Sequence, residues 1–155
     1  MSAVAGWHIR AARSDDATNW HALRIALWPA EEEAPTLSDI ANVLADPARY
    51  ANFLAFDDME NAIGFAEASL RRDYVNGCDT SPIGFLEGWY VAPEWRGRGV
   101  GRELMKAAEA WARTRGCREF ASDALLDSVD SHRAHLACGF EETERVVYFR
   151  KRLDG

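Results

Sequence analysis

The chain has 155 residues, 48% hydrophobic and 28% charged, the size and composition of one compact globular domain spanning 1–155. No apolar run approaches the roughly 18 residues of a membrane span, and the N-terminus lacks a basic flank ahead of an apolar stretch; the three cysteines (Cys78, Cys117, Cys138) are widely spaced, against a disulfide framework or a structural zinc site. The lack of a span and of a leader-like N-terminus sets the expected location as the cytoplasm, and a net charge of -7, from 25 Asp and Glu against 18 Lys and Arg, disfavours nucleic acid and anionic membranes and favours neutral or cationic partners.

Ser14-Asp15-Asp16 offers N-cap chemistry ahead of Trp20, Leu23 and Leu27, whose helical spacing predicts a first helix closed by Pro29. Leu37, Ile40, Ala41 and Leu44 predict a second, shorter helix that ends at Asp46-Pro47. Tyr50 to Phe56 and Ala62 to Leu70, separated by the polar stretch from Asp57 to Asn61, read as two strands of a hairpin. Ile83 to Val91 is an apolar strand interrupted by Glu87-Gly88, a pairing of charge and glycine that predicts a bulge or a splay. Gly99 to Arg115 is the clearest helix, with the stripe Leu104, Ala108 and Trp111, basic residues in its last turn and Gly116 at the C-cap. Glu119 to Ala124 then predicts a strand, Ser128 to Ala137 a helix stopped by Gly139, and Val146 to Lys151 a final strand. Alternation in the second half points to a sheet with a strand-helix-strand unit around Phe85 to Asp123.

Arg96-Gly97-Arg98-Gly99-Val100-Gly101 lies between the strand ending at Val91 and the long helix. Glycines at a helix N-terminus let bare backbone N–H groups converge on an anion, aided by the positive end of the helix dipole and here by Arg96, Arg98 and Arg102. A tight turn with solvated arginines is the alternative. The loop lacks the G-x-x-x-x-G-K-[ST] pattern of a P-loop, and its GxGxG spacing is not that of a dinucleotide fold.

The stretch Val91 to Gly101 resembles the acetyl-CoA signature of GNAT acetyltransferases, R/Q-x-x-G-x-G/A, with Arg96, Gly99 and Gly101 at its fixed positions. The V-x-P lead-in, the long amphipathic helix and Gly139-Phe140 after the last helix follow that family's order, so the resemblance spans nearly the whole chain. Five further segments are similar to one subgroup, the aminoglycoside 6'-N-acetyltransferases: Leu27-Trp28-Pro29, Arg72 to Gly77, Phe85 to Gly88, Ala121-Ser122-Asp123 and Gly139 to Val146.

The resemblance implies an α+β (mixed α/β) fold, with a mixed, mostly antiparallel sheet splayed between two parallel strands and flanked by helices. It implies acetyl-CoA as co-substrate, no metal, a cationic aminoglycoside as acceptor and a homodimer. Trp89, Tyr90 and Val91 are expected at the coenzyme through their main chain, and Arg96, Gly97, Arg98, Gly99, Val100 and Gly101 around its pyrophosphate. Glu87, Asp123 and Glu144 are expected to grip ammonium groups, with Trp28 and Tyr74 as aromatic walls. Glu87 also stands out without the resemblance, because an idle carboxylate in an apolar run is costly. Glu31-Glu32-Glu33 is a charge run read as a solvated face outside the site.

The expected chemistry is direct attack of an amine on the thioester, with Asp123 as the first candidate for proton acceptor and Glu87 as the second. No cysteine stands in a motif for an acyl-enzyme, so a ternary complex is expected. The chain departs from the family in having His135 where many members carry a Tyr that protonates the departing thiolate, so this residue is either the acid or a packing partner of the coenzyme. Ser128 replaces a common Asn that contacts the coenzyme. The competing readings are a GNAT enzyme for another amine, such as a polyamine or protein N-terminus, and a catalytically silent acetyl-CoA-binding module.

Overall fold

The computed structural model describes residues 6–29 and 37–154, so the Glu31-Glu32-Glu33 run lies outside the described residues. Strands β1 (Trp7–Ala11), β2 (Tyr50–Asp57), β3 (Ala62–Arg71), β4 (Ile83–Val91) and β5 (Phe120–Ser122) form one sheet in that order. All neighbours are antiparallel except β4 and β5, which run parallel. Helices α1 (Ala17–Leu27) and α2 (Leu37–Leu44) precede β2, α3 (Val100–Thr114) crosses from β4 to β5, and α4 (Val129–Ala137) follows β5. This is the mixed, mostly antiparallel α+β sheet anticipated.

Two apolar layers cover the sheet. Val100, Leu104 and Met105 of α3 pack with Ala55, Ile63, Ala66 and Leu86, while Trp20 of α1 and Ile40 of α2 pack with Leu54, Phe56 and Phe65. β3 lies between both layers, and its residues from Ile63 to Leu70 are all buried. That is why Ala62 to Leu70 reads as a nearly continuous apolar run and not as an alternating one.

Three details depart from the sequence reading. β1 was not anticipated; it is short and pairs with β2, with Ile9 opposite Ala55. Ser14–Asp16 form a 3-10 turn, and Asp16 points backwards to accept hydrogen bonds from the Arg13 N–H (2.7 Å) and from Arg10 (2.8 Å at each oxygen). The strand foreseen at Val146 to Lys151 does not form: Phe140 packs against the core, and the chain beyond it reaches no sheet neighbour among the described residues, leaving Tyr148 82% and Phe149 93% exposed.

The Arg10 hydrogen bonds hold the Asp16 carboxyl below its ordinary range. A depressed folded-state value contributes stability above the unfolded-state value and loses it as pH falls through the folded one. Asp16→Asn should therefore cost about 1–3 kcal/mol in urea unfolding at pH 7, and the difference from the parent chain should shrink below about pH 4.

Candidate active site

β4 and β5 pair only from Gly84 to Leu86 and from Phe120 to Ser122, after which β4 continues to Val91 with no strand on that side among the described residues. The parting coincides with an irregularity on the other side of β4. Glu67 of β3 faces Gly88 and Ala68 faces Leu86, so Glu87 is the extra residue of a bulge. Gly88 is required there by contact: a Cβ would lie 2.5 Å from the Trp28 ring and 3.2 Å from Phe65. The interruption read in the sequence at Glu87-Gly88 is thus the point where the sheet opens.

Past the split, the loop after Val91 leads into α3. Gly97 and Gly99 have φ of +77° and +89°, and a Cβ on either would meet nothing within 4 Å. Glycine therefore serves the left-handed backbone there, and the loop surface stays open above the unpaired N–H groups of the first turn of α3. Gly101 is different, since its Cβ would press on the Trp89 ring at 3.3 Å, and the Trp89 indole N–H donates to the Gly101 carbonyl at 3.0 Å. Arg96 donates to the Val91 carbonyl at 2.8 Å and stacks near Tyr90, Arg98 lies over Trp95, and Arg102 donates to the Ala137 carbonyl at the end of α4. Open N–H groups at a helix N-terminus with guanidinium groups nearby fit the pyrophosphate of a coenzyme A.

His135 of α4 sits against the split. Its Nδ1 lies 2.7 Å from the Ser131 carbonyl, which can only accept, so Nδ1 carries a hydrogen, and its Nε2 lies 2.9 Å from the Ser122 hydroxyl oxygen. The ring also meets Trp89 and Phe140 edge-on. The geometry establishes this contact with the end of β5, which sequence spacing did not reveal. Ser128 is the residue before α4, and its side chain makes no capping hydrogen bond.

On the α1 side of β4 lies a cavity of about 920 Å³, lined among others by Arg24, Glu67, Arg71, Asp73, Tyr74 and Glu87. Of the expected acceptor residues, the structure brings Glu87 and the exposed Tyr74 to this cavity, with Trp28 seated on the adjacent Gly88. Asp123 follows directly on β5, at the end of the strand that parts from β4, and is exposed. Glu144 is exposed and does not line the cavity; its neighbour Thr143 presses on Gly77, in the loop that carries Tyr74.

Sequence reasoning missed the basic partners. Arg71 forks onto Glu87 at 2.9–3.2 Å, and the Ser69 hydroxyl also donates to it. Deeper, Glu67 is 4% exposed and accepts from the Trp20 indole at 2.8 Å and from Arg24 at 2.8 and 3.1 Å, while Arg24 lies 5.3 Å from the Trp28 ring centre. A charged residue within the apolar run Ala62 to Leu70 was the available signal for Glu67. The thiols of Cys78, Cys117 and Cys138 are free, and burial pushes each above its ordinary value, which suits structural rather than nucleophilic cysteines.

Comparison with known proteins agrees with this geometry. The profile of the acetyltransferase (GNAT) family matches residues 16–140. The chain is 54% identical over 146 residues to an aminoglycoside N(6')-acetyltransferase type 1 of Stenotrophomonas maltophilia, covering 94% of each chain, and 49% identical over 135 residues to one of Salmonella typhimurium, covering 86% of this chain and 91% of that one. The crystal structure of the aminoglycoside 6'-N-acetyltransferase AAC(6')-Ih from Acinetobacter baumannii superposes with a TM-score of 0.89 at 44% identity, over 96% of this chain and 100% of that one. AAC(6')-Iy in complex with the bisubstrate analogue CoA-S-monomethyl-acetylneamine superposes with a TM-score of 0.87 at 45% identity, over 94% and 98%. On the sheet split, the glycine loop and these matches together, the chain belongs to the GNAT family of acetyltransferases.

Proposed function

We propose that this chain, as a single domain, is an aminoglycoside 6'-N-acetyltransferase that moves the acetyl group of acetyl-CoA to the 6'-amine in a ternary complex, removing a positive charge from the antibiotic and so conferring resistance. The observation that carries the reading is Glu87: a carboxylate at the bulge where the sheet opens, facing a large cavity, in a chain closely similar to enzymes named for this activity. Acetyl-CoA, the co-substrate of the family, supplies an activated acyl carbon and a thiolate leaving group. The glycine loop from Arg96 to Gly101 holds the pyrophosphate by main-chain N–H groups, and the unpaired edge of β4 from Trp89 to Val91 directs N–H groups at the thioester arm. Asp123, at the other lip of the split, takes the proton from the attacking amine, while Glu87 and Tyr74 at the cavity and Trp28 beside it hold the acceptor's ammonium groups and sugar faces, and Glu144, outside the cavity lining, meets a part of the acceptor that projects beyond it. His135, held by Ser131 and Ser122, borders the coenzyme.

The test is thiol release from acetyl-CoA with a kanamycin-type acceptor bearing a 6'-amine, beside an otherwise similar 6'-hydroxyl compound. Turnover with the amine alone is expected. Turnover with neither, while acetyl-CoA still binds, would overturn the aminoglycoside reading in favour of another acceptor.

The reading includes a homodimer. Its support is the segment after Phe140, whose Val147, Tyr148, Phe149 and Leu153 stand exposed, together with a sheet in which β5 has a single strand neighbour among the described residues. Such a segment has the composition of a strand and pairs with no strand among the described residues. Ending the chain at Arg145 should convert a dimer to a monomer in sedimentation, whereas an intact chain that already sediments as a monomer would refute the assembly. A cytoplasmic location completes the reading, supported by three unpaired cysteines; among the described residues no helix is long and apolar enough to cross a membrane.

A further inference from the structure

Glu87 does not stand free in the cavity. Ser69 and Arg71 are two residues apart on β3, so their side chains share a face, and both reach across to the bulge of β4. Oε2 of Glu87 accepts from the Ser69 hydroxyl, from Arg71 Nε at 3.2 Å and from Arg71 Nη2 at 2.9 Å. Among the described residues Oε1 accepts only from Arg71 Nη2, at 3.0 Å. The guanidinium is itself seated, its Cζ 3.5 Å from the centre of the Phe85 ring. A carboxylate oxygen has two lone pairs, so Oε2 is saturated and Oε1 keeps an acceptor site.

We propose that Ser69 and Arg71 form a clamp on Glu87 and are positioning residues for acetyl transfer: they immobilise the bulge carboxylate so that Oε1 alone is presented to the cationic acceptor. A bulge residue has no ladder partner of its own to orient it, and a side chain with three rotatable bonds on such a backbone otherwise samples several directions. The planar fork of Arg71 fixes both oxygens at once, which a lysine does not do, since it offers a point charge. The clamp also places a resident cation beside the site, so that the acceptor's ammonium has to approach Oε1 from the side away from Arg71. The proposal rests on the acetyl-transfer reading above.

A double-mutant cycle tests it, read as kcat and KM with the 6'-amine acceptor and as KM for acetyl-CoA. Arg71→Gln should lower kcat/KM for the 6'-amine acceptor about tenfold, mainly through a raised acceptor KM, as expected for members of one hydrogen-bond network, with KM for acetyl-CoA unchanged. In an E87Q background the same change should cost less than about twofold, because the group it positions is already altered. Ser69→Ala should show the same non-additivity with a smaller effect, and Arg71→Lys should recover only part of the loss. If thermal melting shows that R71Q has lost its fold, R71K and S69A carry the same cycle. An equal loss from R71Q with and without Glu87, or a gain in kcat/KM when Arg71 is removed, would overturn the clamp. A wild-type chain that acetylates no aminoglycoside overturns the parent reading, an outcome distinct from an additive cycle in an active enzyme.

Discussion

Asp123→Asn is expected to lower kcat with a 6'-amine acceptor by about 10²- to 10⁴-fold, the range for loss of a general base, while KM for acetyl-CoA stays within about twofold. The attacking nitrogen enters as an ammonium ion and reacts only as a neutral amine, so a carboxylate must take its proton near the thioester. Two carboxylates stand on the lips of the split, Glu87 on β4 and Asp123 directly after β5. They differ in what surrounds them. Glu87 is engaged by Arg71 and Ser69, whereas the Asp123 side chain has no ion pair or hydrogen bond among the described residues and is exposed. A carboxylate whose oxygens already accept from a guanidinium and a hydroxyl has less lone-pair capacity left for the proton of an incoming amine. Glu87→Gln should therefore act more on acceptor KM and reduce kcat less than Asp123→Asn. Asparagine keeps the size of Asp123 and removes its basicity, so folding should be unaffected. A kcat for D123N within threefold of the parent enzyme would remove Asp123 from the chemistry, and a larger loss in E87Q would assign the base to Glu87.

Legibility in the sequence followed locality. The glycine loop, the α3 stripe and the Glu87-Gly88 interruption are short patterns whose physical meaning depends on a few neighbours, and each lies where the pattern places it. Contacts between elements far apart in sequence were hidden. Arg71 on Glu87, Ser122 on His135 and Arg24 on Glu67 join residues 16, 13 and 43 positions apart, and nothing in the local composition marks the partner. The C-terminal segment shows the opposite limit. Val146 to Lys151 has the composition of a strand, yet composition does not say whose edge it pairs with, and within one chain it pairs with none among the described residues.

The largest loss of stability is expected from Arg24→Ala. Glu67 lies within the doubly covered β3, 4% exposed, and its compensation is the fork of Arg24 together with the Trp20 indole. Burial pushes this carboxyl above its ordinary range, against the pull of Arg24 and of the hydrogen bond from Trp20. Removing Arg24 leaves an uncompensated buried charge, a change that costs about 3–5 kcal/mol in other buried pairs, to be read as the shift of the urea midpoint at pH 7. The pH dependence has a definite sign. A carboxyl whose folded-state value is raised binds its proton more tightly when folded, so its favourable contribution is full below the unfolded value and is lost as pH rises through the folded one. R24A should therefore recover stability relative to the parent chain between pH 7 and about pH 5, still above the unfolded value of a glutamate. The double variant R24M/E67Q, which removes both charges, should be markedly more stable than R24A at pH 7. Because Arg24 also lies beside Trp28, which packs on Gly88, R24A at a temperature where it stays folded should raise KM for the acceptor and leave KM for acetyl-CoA unchanged. A loss below about 1 kcal/mol, or one independent of pH, would show that Glu67 is carried by Trp20 and its surroundings without the guanidinium.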